Sequence, residues 1–191
     1  MSDVTPNADG VLGDPAQKYL KSMFYEQLVE HIFISEVLQE AWYRHGKTVE
    51  VLHAEIDASG YDVVLECNGY LRHIQLKTSK PNKRGSQPIN VALASKPSGC
   101  IVWILRHENK ETCRVSFSYL FFGGKPGKPL PSLNAFPFAK RTTPNKEGIK
   151  PTRQSIHKIP KGHFTPVRDT TAIVECLFGL SHQTGEMAED V

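Results

Sequence analysis

A predicted β-hairpin at residues 60–79, GYDVVLECNGYLRHIQLKTS, constrains the fold more than any other stretch of this chain. Runs of apolar residues lie on both sides of Asn68-Gly69, the dipeptide most typical of a two-residue type I′ turn. With that turn, Cys67 lies opposite Tyr70, and the register of both strands follows from the turn. The stretch therefore predicts an antiparallel strand pair with a defined set of facing residues.

The predicted register brings three polar side chains together on one face of the hairpin. Asp62 lies opposite Gln75, and Lys77 follows two residues later, so the alternation of side chains places all three on the same face. Facing residues have Cβ atoms about 4.5–5.5 Å apart, which lets a carboxylate and an amide oxygen share one cation. If that face instead meets solvent, the same residues are ordinary polar surface groups, and the hairpin pattern alone leaves both interpretations open.

The remaining pattern predicts one long helix followed by further strands. From Ala16 to Arg44 there is no Pro or Gly, and apolar residues recur every three or four positions, which is typical of one helical face. Further strands are predicted at 47–56, 88–95, 100–107 and 112–122. The continuously apolar run at 100–107, CIVWILRH, is typical of a central strand that is covered on both faces.

The length of 191 residues predicts a single domain. We expect an α/β fold, with a central mixed sheet that has helices on both sides. Within it we predict a flexible lead-in at 1–14, a core at 15–122, basic loops with a closing helix at 123–180, and an acidic tail at 181–191. The loops are expected because residues 123–168 are rich in Pro, Gly and Lys, and the closing helix has Asp169 or Thr170 as its N-cap.

The net charge of +3 conceals a strong separation of charge along the chain. Residues 1–66 carry 4 basic and 12 acidic side chains, whereas residues 67–168 carry 19 basic and 3 acidic ones. Such asymmetry is an expected electrostatic signature of polyanion binding, because each Lys or Arg near a phosphate releases condensed counterions. A solvated basic surface would show the same composition, so charge alone leaves both explanations open.

Neither a secretory signal nor a membrane span is predicted. The first 14 residues lack a cationic start followed by an apolar run, and no stretch approaches the roughly 20 apolar residues that span a bilayer. Cys67, Cys100, Cys113 and Cys176 form no C-x-x-C pair, so we expect reduced thiols rather than a zinc or redox motif. These features predict a cytoplasmic protein without a membrane partner.

The order of these motifs resembles the core of the PD-(D/E)xK nuclease superfamily. An acidic helix, G-x-D at residues 60–62, a short turn and IQLK at residues 74–77 follow its pattern, and the glutamine variant is similar to Mrr-type restriction nucleases. The resemblance covers about residues 26–79, or 26–107 at its widest, and leaves the basic C-terminal third unmatched. It implies a restriction-endonuclease-like fold, hydrolysis of phosphodiester bonds, DNA as the substrate, and a homodimer, since many members act as dimers.

The resemblance also implies a role for each site residue. Asp62 and Gln75 would bind Mg²⁺, with Mn²⁺ as an alternative, and the backbone carbonyl of Leu76 would be a further ligand. Such hard cations prefer oxygen ligands, and a bound metal lowers the pKa of a water while a nearby lysine, Lys77, stabilises the transition state. Glu36 matches the acidic residue of the first helix. It lies beside the apolar stripe, and the alternative is a boundary carboxylate that reaches solvent.

Gln75 departs from the usual pattern, which has an acidic residue at this position. An amide oxygen can ligate a metal but brings no negative charge, so metal affinity would be weaker unless another carboxylate compensates. Glu66 shares the face but lies about 13 Å from Asp62 at roughly 3.3 Å per residue, so it cannot complete the same site. Glu36 and Asp57 are the remaining candidates, and Asp57 is more simply a turn residue.

Lys80, Lys83 and Arg84 lie on the loop that directly follows the predicted site, and we expect them to contact phosphates beside the cut. Two other functions remain open at this stage. The chain would be a catalytically inactive nucleic-acid-binding module or a subunit of a larger nuclease or defence complex, with Gln75 marking a decayed site. Alternatively, it would be a protein-interaction domain whose basic loops meet acidic protein surfaces.

Overall fold

The computed structural model describes residues 15–53 and 60–181. The chain divides into two compact units, residues 1–35 and residues 36–191. The first unit contains the beginning of helix α1 (Pro15–Gln39), on which five large side chains are exposed: Tyr19, Leu20, Met23, Phe24 and Leu28. The predicted lead-in at 1–14 and the tail after Ser181 lie outside the described residues.

The second unit contains the end of α1, a π-helical turn (Glu40–Arg44), helix α2 (Thr170–Phe178) and the strands. The strands are β1 (Glu50–His53), β2 (Val63–Cys67), β3 (Tyr70–Ser79), β4 (Ser86–Asn90), β5 (Gly99–Asn109), β6 (Arg114–Gly123), β7 (Phe138–Lys140), β8 (Thr152–Pro160) and β9 (Thr165–Val167). The N-cap of α2 is Asp169, whose side chain accepts a hydrogen bond from the Ala172 N–H. Within the described residues, neither helix is long and apolar enough to cross a membrane.

The larger sheet has the strand order β1-β2-β3-β5-β6-β9. Strands β3 and β5 are parallel, and every other neighbouring pair is antiparallel. Residues 100–105 of β5 are all buried, which confirms that the apolar run forms a central strand. The predicted fold class, a mixed sheet combined with helices, is therefore confirmed.

The predicted hairpin register is present in the structure. Cys67 pairs with Tyr70, and the pairing continues to Val63 opposite Ile74. Asn68 and Gly69 have φ angles of 52° and 76°, as a type I′ turn requires at both central positions. The local turn chemistry of this stretch is thus sufficient to define which residues face each other.

The two faces of the larger sheet are covered differently. Helix α2 contacts β6 on one face, whereas the other face carries a second, three-stranded sheet with the order β4-β8-β7. Trp103 of β5 lies in the core between the two sheets, and its indole N–H donates to the Ser79 hydroxyl at 2.8 Å. The expectation of helices on both sides thus differs from the structure, in which a sheet covers the second face.

The second sheet is also where the sequence patterns are least informative. Residues 123–168, predicted to form surface loops, contain β7, β8 and β9, and the strand predicted at 88–95 ends at Asn90, before a 3₁₀ turn. In β8 only His157 and Ile159 are buried, because the strand is covered on one face alone. With only two buried side chains, β8 shows almost no alternation of apolar and polar residues in the sequence, and the many Pro and Lys residues around it are typical of loops.

Arg72 of β3 joins several parts of the second unit. Its guanidinium is fully buried and donates to the carbonyls of Leu177, Cys176 and Gly124 and to the Ser98 hydroxyl, at 2.7–2.9 Å. These acceptors belong to α2, to the residue directly after β6 and to the turn before β5. One side chain therefore connects three segments that are far apart in sequence.

We predict that Arg72→Met lowers the free energy of unfolding by about 3 kcal/mol or more, because a buried carbonyl that loses its donor costs about 1–3 kcal/mol. Urea denaturation followed by circular dichroism would measure the change. Arg84→Met, at an exposed arginine, is the matched control and should leave the unfolding midpoint nearly unchanged. Equal midpoints for the two variants would show that the Arg72 contacts contribute little.

Candidate active site

Asp62 lies immediately before β2 and contacts β3 on both sides of Gln75. Its backbone N–H donates to the Ile74 carbonyl at 2.9 Å, and its Oδ2 accepts from the Leu76 N–H at 2.6 Å. Where the β2–β3 ladder ends, the Leu76 N–H thus donates to the Asp62 carboxylate instead of to a backbone carbonyl of β2. Asp62 has a structural role at the position where the sequence predicts a metal ligand.

Gln75 is the most deeply placed member of the predicted site. Its side chain is only 5% exposed, and it pairs with the buried Ile101 of β5. Within the described residues, the Gln75 Oε1 atom is buried and accepts no hydrogen bond. Leaving a buried amide oxygen without a partner costs on the order of 1–3 kcal/mol. An oxygen in this state is suited to accept a donor or to coordinate a cation.

The backbone of Leu76 is oriented towards Asp62. Its N–H donates to the Asp62 carboxylate, and in a β-strand the N–H and C=O of one residue point to the same edge. The Leu76 carbonyl therefore points to the side of β3 on which Asp62 lies, beyond the last paired residue of β2. This orientation agrees with the ligand role that the family resemblance implies for the carbonyl.

Lys77 shares a face of β3 with Gln75, two residues away, and pairs with Trp103 of β5. Its side chain is partly exposed, as is that of Asp62. Considering only the part of the chain that the structure describes, the Lys77 ammonium has no hydrogen-bond or ion-pair partner. Asp62, Gln75, the Leu76 carbonyl and Lys77 are called the candidate site below. The contact between the Asp62 carboxylate and the Leu76 N–H places Asp62 next to this stretch of β3. The ladder of paired residues ends at Val63 and Ile74, one residue before the predicted Asp62–Gln75 pair.

Glu36 lies elsewhere. Its Oε2 accepts hydrogen bonds from the Tyr119 hydroxyl at 3.0 Å and the Thr170 hydroxyl at 2.8 Å. Tyr119 pairs with Ile104, which pairs with Thr78, and Thr78 points to the face of β3 opposite to Gln75 and Lys77. The contacts of Glu36 are therefore on the helix-covered face, and the catalytic role predicted for it has no support in this arrangement.

Burial at this second location has a measurable electrostatic consequence. Burial raises the pKa of Tyr119, and the neighbouring Glu36 carboxylate raises it further by disfavouring a phenolate. The phenol therefore remains protonated and serves as a hydrogen-bond donor to Glu36. A cavity of about 570 Å³, lined by Glu36, Gln39, Glu40, Tyr43, Arg44 and Thr170, lies beside this group.

The loop after β3 presents the predicted phosphate-contacting residues. Lys80, Lys83 and Arg84 are all exposed. The Lys161 ammonium donates to the Pro81 carbonyl at 2.8 Å and to the Lys83 carbonyl at 3.3 Å, so a residue from the end of β8 holds the loop. The sequence patterns did not single out Lys161, because its partners are backbone atoms about 80 residues away.

A second group near the candidate site was also missed. The Tyr61 and His73 rings meet edge to face at 4.9 Å, and the Lys96 ammonium lies 5.3 Å from the centre of the Tyr61 ring. His73 shares a face of β3 with Gln75, and Tyr61 precedes Asp62. No sequence spacing links Lys96 to this hairpin, since the contact depends on the turn before β5.

The oxygen atoms of the candidate site fit a hard cation, although only one of the three possible ligands, the Asp62 carboxylate, is charged. The described residues contain no cluster of three or more His, Cys, Asp or Glu side chains that could hold a metal. Glu66 is exposed and pairs with Glu50 and Leu71, away from Asp62, and Asp57 lies outside the described residues. The fit rests on the unpartnered Gln75 oxygen beside one carboxylate and one carbonyl. Oxygen ligands of this kind suit Mg²⁺ or Mn²⁺.

No protein-family model, curated protein or solved structure matches this chain. The resemblance to PD-(D/E)xK nucleases therefore rests on the motif residues at 60–62 and 74–77 and on the acidic helix. The hairpin register and the mixed sheet agree with that motif.

We predict that Glu36 and Tyr119 are energetically coupled. A double-mutant cycle with Glu36→Ala and Tyr119→Phe should give an interaction energy of about 1 kcal/mol in urea denaturation, because the two side chains share a hydrogen bond. Glu175→Ala, at an exposed position of α2, is the control partner and should be additive with Tyr119→Phe. Additivity of the Glu36 pair would contradict the contact described above.

Proposed function

We propose that this protein is a metal-dependent nuclease that hydrolyses phosphodiester bonds, with DNA as the substrate. The observation that carries the proposal is the buried, unpartnered oxygen of Gln75, a residue that precedes the Leu76 N–H bound by Asp62 and lies two residues before Lys77 on β3. The contact with the Leu76 N–H explains the position of the Asp62 carboxylate but not the buried Gln75 oxygen or the Lys77 ammonium. Metal-assisted hydrolysis explains all three.

Each residue of the candidate site has a defined part in the proposed reaction. Asp62, Gln75 and the Leu76 carbonyl would hold Mg²⁺ or Mn²⁺, which when bound activates water and neutralises charge on the phosphate. Lys77 remains available because its ammonium has no partner among the described residues, so it can orient a nucleophile or stabilise negative charge on a phosphate oxygen. Lys80, Lys83 and Arg84 would contact the neighbouring phosphates.

The charge distribution supports a polyanionic substrate. Residues 67–168 carry 19 basic and 3 acidic side chains, and most of those basic side chains are exposed. The three exposed cations after β3 follow Lys77 within seven residues. Nucleic acid is the polyanion whose backbone offers the bond that the candidate site would cleave. A cytoplasmic location and a homodimer remain predictions.

We predict that Asp62→Asn abolishes Mg²⁺-dependent cleavage and leaves the fold intact, because the asparagine oxygen can still accept from the Leu76 N–H. Cleavage of plasmid and linear DNA with Mg²⁺, Mn²⁺ or EDTA would measure the effect. Glu66→Gln is the matched control, since Glu66 is an exposed acid of β2 on the same face and should be dispensable. Unchanged cleavage by Asp62→Asn would remove Asp62 from the mechanism.

We predict that Gln75→Glu increases metal affinity and makes folding stability depend on metal. A buried carboxylate there would repel Asp62 without a cation, so the melting temperature should fall in EDTA and rise with added Mg²⁺ or Mn²⁺. Gln75→Leu is the control, because it fills the position without a ligand. A melting temperature of Gln75→Glu that does not respond to metal would contradict a metal site at this position.

One observation favours a second candidate function, a nucleic-acid-binding module without catalysis. The Asp62 carboxylate is the single charged ligand of the candidate site, and one of its oxygens already accepts the Leu76 N–H. The hydrogen bond to Leu76 would then be a sufficient reason for an aspartate at position 62, without a metal. Nucleic-acid binding that persists in EDTA, with no cleavage products in any metal, would favour this alternative.

A further inference from the structure

The segment between β7 and β8 forms a basic hairpin arm, defined here as residues 140–153, KRTTPNKEGIKPTR. It carries five basic residues and one acidic residue. The arm has a defined shape: the Arg141 N–H donates to the Pro151 carbonyl and the Asn145 N–H to the Ile149 carbonyl, each at 2.8 Å. The Asn145 Oδ1 also accepts from the Glu147 and Ile149 N–H groups. The arm is therefore an extension of the second sheet.

Cations of the arm converge on one concavity. A cavity of about 530 Å³ is lined by Lys140, Arg141 and Arg153 together with threonine, asparagine and proline residues, and no acidic side chain lines it. None of these three cations has a hydrogen-bond or ion-pair partner for its side chain within the described ranges. The one acid of the arm, Glu147, instead accepts from the Asn145 side chain. Like charges placed together without a counter-ion are suited to a polyanion.

We propose that this arm binds the phosphate backbone of a duplex nucleic acid. Arginine and lysine side chains, supported by threonine hydroxyls, are the groups that most often contact phosphate oxygens. The arm contains no Phe, Tyr, Trp or His, whereas binding of single strands relies on aromatic side chains on which bases stack. The absence of aromatic side chains from the arm itself favours contact with a backbone whose bases are paired.

The arm is within reach of a duplex that also contacts the candidate site, a point that rests on the proposed function. Gly60, two residues before Asp62, lies against Asn90 so closely that a Cβ atom on Gly60 would be 2.8 Å from the Asn90 Cβ. Asn90 pairs with Ile156, three residues from Arg153. At roughly 3.3 Å per residue, these steps place Arg153 on the order of 25 Å from Asp62, which is less than one turn of DNA.

The test compares two variants that each remove three charges. The arm variant is Lys140→Gln/Arg141→Gln/Arg153→Gln. The control variant is Lys47→Gln/Lys125→Gln/Lys128→Gln, at exposed lysines near the β2–β3 turn, at the other end of β3 from Lys77. Fluorescence anisotropy with 20-base-pair DNA and RNA duplexes and single-stranded DNA, in EDTA and at several salt concentrations, gives the affinity and its salt dependence.

We expect the arm variant to bind duplexes more weakly and to reduce the slope of log K against log salt by roughly 2.7, which is about 0.9 per lost phosphate contact. The control variant should keep the wild-type slope. A preference for DNA or RNA duplexes would identify the natural source of the backbone. The proposal is overturned if the arm variant keeps the wild-type slope, if the control loses as much, or if single strands bind as tightly as duplexes.

The same measurements separate this proposal from the nuclease proposal. Binding is measured in EDTA, and its dependence on the arm can be repeated in the Asp62→Asn background. If binding depends on the arm but the wild-type protein cleaves no substrate in any metal, the arm proposal is supported and the nuclease proposal is wrong. If the wild-type protein cleaves in a metal-dependent way and the arm variant binds as tightly as the wild type, the nuclease proposal is supported and the arm proposal is wrong.

Discussion

The buried guanidinium of Arg72 is the interaction on which the second unit depends most. A charge with no exposure requires full hydrogen bonding, and Arg72 obtains it from three backbone carbonyls and one hydroxyl, without any carboxylate. Burial raises the pKa of the neighbouring Cys100 thiol to about 12, so this thiol stays neutral and supplies no counter-ion. Carbonyl dipoles from α2 and from Gly124, directly after β6, therefore surround the cation. The fixed donor geometry of the guanidinium determines their positions relative to β3.

This arrangement has a consequence for the candidate site, because Arg72 and Gln75 belong to the same strand and face opposite sides. Arg72 attaches one face of β3 to α2, and Ser79 contacts Trp103 in the core on the other face. Because β3 is held on both faces, the three candidate-site residues between these contacts, Gln75, Leu76 and Lys77, have little freedom to move. Gln75 and Lys77 are thereby positioned by packing rather than by bonds of their own, which is a suitable basis for a preorganised site.

Sequence patterns predicted the features that depend on local chemistry. The Asn68-Gly69 turn predicted the register, the apolar run at 100–107 predicted a central strand, and the two alternative N-caps, Asp169 and Thr170, predicted the start of α2 to within one residue. They failed where the determining contact is distant. The Glu36 carboxylate meets groups 83 and 134 residues away, and the second sheet forms from short strands that bury few side chains. The burial of Gln75 was equally out of reach, since it requires the parallel pairing with β5.

Glutamine at position 75 can be understood from the cost of burying a charge. A carboxylate at a position 5% exposed, beside Asp62 and against Ile101, would be stable only when protonated or when a cation is present. A neutral amide avoids this penalty, so β3 can pack with or without metal. The charge that the amide fails to supply must then come from elsewhere. Under the proposed nuclease function, the phosphates of bound nucleic acid would supply it, because they would bring negative charge to the cation. On this reasoning the proposed metal would bind tightly only together with nucleic acid, and a basic surface that binds nucleic acid would also increase metal occupancy.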